Sequence, residues 1–85
     1  MPELSRFLGI VIAMYYRDHL PAHFHAKYGD YEITVELNTG LVQGQFPKRA
    51  LKLVLEWYNL HSDELLDNWQ RAQERQPLQS IDPLE

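Results

Sequence analysis

The chain has no cysteine. That excludes a disulfide framework, a thiolate metal site and a cysteine nucleophile, and it fits a reducing cytoplasmic compartment. Long apolar runs are missing as well. The longest, over 7–16, falls far short of the roughly 20 residues a membrane span needs. It would suit a signal-peptide core flanked by Arg6, but Tyr15-Tyr16-Arg17-Asp18 stands where a small-residue cleavage site belongs. We therefore read it as a buried strand. Positive charge is scarce: 8 Lys and Arg against 12 Asp and Glu leave a net charge of −4. A duplex-binding protein needs a basic stripe to neutralise several phosphates. Only Lys48, Arg49 and Lys52 gather here, at one predicted helix start. They are the candidate nucleic-acid contact, and a nucleic-acid-binding regulator is the third-ranked reading.

What is present is enough for one core: 45% hydrophobic residues and 2 tryptophans over 85 residues predict a single α+β domain over 1–85. Both parities are apolar over 8–16, as in a strand covered on both faces, and Met1–Arg6 reads as a short lead-in. Pro21 ends that strand because it lacks a ladder donor and holds Leu20 extended. Gly29-Asp30 suits a type II′ hairpin turn between strands at 23–28 and 31–37. That turn sets the register: Tyr28 faces Tyr31, Lys27 faces Glu32, Ala26 faces Ile33, His25 faces Thr34, Phe24 faces Val35 and His23 faces Glu36. One face is then apolar and the other polar, and a slip by one residue would mix them. Asn38-Thr39-Gly40 predicts a further turn into a strand at 41–46, with Leu37 opposite Val42. The sheet is a small antiparallel meander of three to four strands with one wet face.

Pro47 suits a first helical turn. Arg49, Lys52, Glu56 and Asn59 form a narrow polar stripe at helical spacing, surrounded by Leu51, Val54, Leu55, Trp57 and Tyr58. Ser62 with Asp63 and Glu64 resembles a new N-terminus, and Leu65, Leu66, Trp69 and Ala72 give an inner face. Two helices, 48–61 and 63–75, are expected on one face of the sheet, followed by an extended tail at 76–85. His61 is expected at a helix C-terminus, in a structural role.

One polar constellation carries chemistry. Asp18, His19, His23 and His25 fall within eight residues, and the hairpin register adds Glu36 beside His23. His23 and His25, two apart on a strand, project to the same side. Imidazoles so placed can hold zinc or another divalent transition metal, with a carboxylate completing the shell; His19, His23 and His25 are the candidate ligands. The same groups could instead serve acid–base catalysis, with Asp18 orienting a histidine. They could also be no more than the solvated face of a sheet, where such cross-strand pairs are ordinary. Four tyrosines (Tyr15, Tyr16, Tyr28, Tyr31) read as packing rather than as base-stacking platforms.

The stretches Pro2-Glu3-Leu4-Ser5-Arg6-Phe7, Met14-Tyr15-Tyr16-Arg17-Asp18-His19 and Pro21-Ala22-His23-Phe24-His25 resemble a small prokaryotic family known as domain-of-unknown-function family 4160. Pro47-Lys48-Arg49-Ala50 through Trp57, and Asp63-Glu64-Leu65-Leu66 to Trp69, extend the resemblance over nearly the whole chain. At Ala22 the resemblance leads one to expect a second proline in some relatives, and this chain departs from it. The resemblance implies a protein partner encoded by the neighbouring gene, in suspected toxin–antitoxin modules. The expected function is thus a small interaction domain, one half of such a module, binding that partner or forming a homodimer. The alternative is a metal-dependent hydrolase or nuclease using the histidine cluster.

Overall fold

The computed structural model describes residues 3–84; what was expected of Met1, Pro2 and Glu85 lies outside them. Five antiparallel strands lie side by side in chain order: β1 (Glu3–Phe7), β2 (Ile10–Ala13), β3 (His23–Tyr28), β4 (Tyr31–Glu36) and β5 (Val42–Gln45). A single helix, α1 (Lys48–Gln73), follows. The α+β class holds, while the counts expected from sequence do not.

The run over 8–16 is not one strand. Leu8 and Gly9 both take positive φ, 51° and 83°, which turns the chain so that Phe7 pairs with Ile10. The segment expected to be a lead-in thereby becomes β1. A leucine is an unusual occupant of that conformation, where its Cβ crowds the backbone. Apolarity on both parities of β2 follows from its place inside the sheet. Ile10 and Ile12 enter the core, while Ala13 pairs with His25, whose ring is covered by Tyr15 at 4.4 Å, edge-on.

The β3–β4 register is the one the Gly29-Asp30 turn dictates, pair by pair from Tyr28 with Tyr31 to His23 with Glu36. Gly29 has φ 58°, as the first position of a type II′ turn requires. The next hairpin slips by two residues from expectation: Val42 faces Val35 rather than Leu37. A shift of two leaves the faces unchanged, so Gly44 keeps to the apolar face, over Ile33 rather than Val35, and Gln43 to the polar one, beside Thr34. The two extra residues go into the turn, which Glu36 closes by donating its N–H to Leu41 O at 2.9 Å.

The expected pair of helices is one helix with a bend. His61 alone leaves helical geometry (φ −124°, ψ 22°). A straight helix of 26 residues would run about 39 Å, longer than the 34 Å greatest extent of the molecule. The bend lets both halves follow the sheet. His61 therefore sits within a helix rather than at its end, its Nδ1 held by Glu64 at 2.6 Å. Arg49, Lys52, Glu56 and Asn59 are exposed as the stripe predicts, but Leu66, expected inside, is exposed.

Trp57 is fully buried, its ring 5.7 Å from Phe7 and 5.8 Å from Phe24. It ties α1 to the apolar sheet face, and its indole N–H donates to Asp82 O at 2.9 Å. The extended segment after α1 is not loose. Asn68, buried in the helix, both donates to Gln79 O and accepts from its N–H. Ile81 is buried and donates its N–H to Leu4 O on β1. No helix is long and apolar enough to cross a membrane among the described residues.

Candidate metal centre

The polar ends of β3 and β4 and the loop between β2 and β3 enclose a cleft of about 260 Å³. Asp18, His19, Pro21, His23, His25, Thr34, Glu36, Leu41 and Gln43 line it. The loop is fixed to the far end of α1. Arg17 donates its N–H to Ala72 O, and the Gln73 amide donates to Asp18 O, each at 3.3 Å. Beneath the cleft, Trp69 packs 5.4 Å from the His23 ring. The helix that builds the core thus also sets the height of the Asp18 loop over the sheet.

Three ligand-type atoms from Asp18, His23 and His25 lie within 4.8 Å of one another. His23 Nε2 is 2.9 Å from Asp18 Oδ2, and His25 Nε2 is 3.4 Å from the same oxygen. Tetrahedral zinc with ligands at 2.0–2.1 Å needs donor atoms about 3.3 Å apart, and the two carboxylate–imidazole spacings lie near that value. The outer nitrogens are equally ordered. His23 Nδ1 lies 2.8 Å from Pro21 O, and His25 Nδ1 lies 3.1 Å from Glu32 Oε2. Each of those oxygens only accepts, so each Nδ1 carries a proton and donates.

This has a direct chemical consequence. A neutral imidazole protonated at Nδ1 presents a lone pair at Nε2. Both lone pairs then face one carboxylate oxygen, an arrangement of acceptors alone. A proton on each imidazole resolves it, and so does a divalent cation held among the three. A carbonyl or carboxylate behind each ligating histidine is the usual outer support of a metal site.

Burial acts to raise the Asp18 carboxyl, but three influences outweigh it and hold the group below its ordinary range. They are the His19 N–H at 2.8 Å, the hydrogen bond from His25, and the charges of His23 and His19.

Of the three histidines expected to converge, His19 is the one left out. Its side chain is 82% exposed and its Nε2 stays 3.7 Å from Asp18 Oδ1. Its Nδ1 lies 3.1 Å from Leu20 O, so the ring stands at the rim. Asp18 takes its place in the inner group. His23 is buried rather than solvated, a correction to its expected place on a wet face, because the Trp69 ring packs against it and Asp18 meets its Nε2. Glu36 lines the cleft outside the inner group.

Glu32 was missed as a site residue. The register places it diagonally across from His25, within reach of a long side chain, and that signal was present in the sequence. Trp69 and Gln73 left none. Lys48, Arg49 and Lys52 are all exposed at the start of α1, at the opposite end of the helix from the residues that hold Asp18.

A family model described as a domain of unknown function, DUF4160, matches residues 9–70. No curated protein and no solved structure matches the chain.

Proposed function

We propose that this chain, which belongs to the DUF4160 family, is a divalent-metal-binding domain whose ligands are Asp18, His23 and His25. The observation that carries the reading is the pair of Nε2 atoms converging on one Asp18 oxygen at 2.9 and 3.4 Å, while Pro21 O and Glu32 hold the opposite nitrogens. Two imidazoles and a carboxylate suit zinc or a neighbouring transition metal better than calcium or magnesium, which prefer all-oxygen shells.

Calorimetric titration of the tag-free chain with zinc tests it. One ion per chain is expected, with binding abolished in the His23→Ala/His25→Ala double variant. Glu32→Gln should weaken binding by about 10–100-fold, the usual effect of losing a carboxylate behind a ligating histidine. Binding should also fall away on acidification below about pH 6, because protonated imidazole cannot coordinate. A trace of zinc that is unchanged in the double variant would sink the reading.

A second reading is favoured by the open sheet edge. β5 forms the last strand of the sheet and carries no charged side chain, whereas natural edges are commonly blunted by charge. Leu41, which leads into β5 and lines the cleft, is exposed, as is Leu20 in the loop before β3. These features support an interaction role, as half of a toxin–antitoxin-type module with the neighbouring gene's product. Co-expression of the two genes, scored for growth arrest and co-purification, tests this; failure of both outcomes would discard it.

A further inference from the structure

We infer that the cleft is a hydrolytic centre for small uncharged acyl compounds, esters or amides, in which Glu36 accepts the proton of the attacking water. The inference rests on the metal reading above and adds a reaction and a substrate class to it.

The first argument is coordination. Closed structural zinc sites use four protein ligands, whereas three leave a position for water. Here three side chains converge, and all three line the 260 Å³ cleft, which leaves room for water beside them. A bound divalent ion lowers the pKa of its water to near neutrality and makes hydroxide available as a nucleophile.

The second argument is the state of Glu36. Asp18 and Glu32 are both engaged by histidines. The Glu36 carboxylate takes no hydrogen bond or ion pair among the described residues, yet it is half-buried and lines the same cleft. It is the ladder partner of His23 on β4, which sets the two Cα atoms about 5 Å apart. An unengaged carboxylate that pairs with a ligand residue across the ladder and lines the same cleft is a candidate general base.

The third argument is the wall. Among the described residues no lysine or arginine lines the cleft, while two carboxylates do. A phosphodiester would find its charge opposed by two carboxylates and no basic side chain beside the ion to hold it. A neutral acyl group meets no such penalty. Thr34 and Gln43 offer it hydrogen bonds, and Pro21 and Leu41 offer apolar contact. The volume is below the common range for drug-sized pockets, so the substrate is small.

The reaction is ordinary hydrolysis. The attacking water would lose a proton to Glu36 as its oxygen bonds to the acyl carbon, and an ion held by Asp18, His23 and His25 would supply the positive charge that makes that water acidic. The tetrahedral adduct then collapses, the bond from carbon to the alkoxy or amino group breaks, and the proton held by Glu36 passes to that leaving group. A carboxylic acid and an alcohol or amine result, and Glu36 returns to its starting state.

The experiment uses the full chain loaded with zinc, 4-nitrophenyl acetate as the neutral ester and bis(4-nitrophenyl) phosphate as the phosphodiester. Zinc-dependent hydrolysis of the ester, with little of the phosphodiester, is expected. Glu36→Gln should bind zinc with unchanged stoichiometry and affinity while slowing ester hydrolysis by about 10²–10⁴-fold, the span for loss of a general base. Glu56→Gln, on the exposed stripe of α1, should behave as the parent. Zinc bound with no ester hydrolysis overturns this inference and leaves the metal reading standing. Loss of zinc in Glu36→Gln would make Glu36 a ligand rather than a base, and a preference for the phosphodiester would overturn the substrate class. If no zinc binds at all, the metal reading fails first and takes this one with it.

Discussion

The Asp18 carboxylate is the point on which two imidazole nitrogens close, and its charge is stabilised by the native surroundings. Its carboxyl is held below the ordinary 3.8 in the folded chain. A depressed carboxyl contributes stability that is fully present above the unfolded value and is lost as pH falls through the folded one. Comparing urea midpoints of the parent and Asp18→Asn in metal-free buffer reads this out. The parent should be the more stable near pH 5, and its advantage should shrink as pH drops below 3.8 toward the depressed value. An advantage that stays constant across that window would show that Asp18 acts by packing alone. His23, His25 and Glu36 were legible as one face because the alternation of a strand is a local property. The exclusion of His19 was not legible, because it depends on how the loop after β2 lies against Ala72 and Gln73, 55 positions away in the case of the Gln73–Asp18 bond.

At the scale of elements, turns decided more than strands did. The Gly29-Asp30 turn set a register that could be written out in full beforehand, since its loop length and glycine position leave one fitting geometry. The Leu8-Gly9 turn was hidden by its leucine, which masquerades as part of an apolar run. Leu8 holds φ 51° while 63% exposed, so it carries backbone strain with little burial in return. Leu8→Asn should raise stability by about 1 kcal/mol, because asparagine tolerates the left-handed region that costs other residues about 1–2 kcal/mol. An unchanged or lowered denaturation midpoint would show that the leucine's contacts outweigh its strain. Gly44 predicts the opposite sign. It has φ 105°, and a Cβ there would sit 2.6 Å from Glu32 O, a backbone atom on the paired strand. Gly44→Ala should therefore destabilise by more than 1 kcal/mol and loosen the β4–β5 ladder, visible as faster amide exchange in β5.

For the molecule as a whole, α1 is the element that joins core to site. Its first half buries Trp57 against Phe7 and Phe24, and its second half places Trp69 under His23 and anchors the Asp18 loop. Trp57→Ala should cost about 3–5 kcal/mol, a large part of what so small a chain possesses. It also removes the donor to Asp82 O, so the segment after the helix should become protease-sensitive in the same variant. A melting temperature lowered by only a degree or two would show that the indole is peripheral. On the proposed metal reading, saturating zinc should recover part of the loss, since an ion at 100 times its Kd stabilises the folded state by about 2.7 kcal/mol.

The sequence by itself determined the α+β class, the polar and apolar faces of the sheet, the register of its central hairpin and the exposed stripe of α1. Each follows from spacing along a few consecutive residues, where the periods of strand and helix and the geometry of a two-residue turn leave little freedom. Only the tertiary structure decided the rest. It split an apolar run into two strands at Leu8-Gly9, bent rather than broke the helix at His61, and laid the chain after Gln73 against β1 through Ile81. It also chose Asp18 over His19 beside His23 and His25. Those outcomes turn on contacts between residues far apart in the chain. The helix must fit a sheet shorter than itself, and the loop after β2 must meet the helix end, so no local pattern records them.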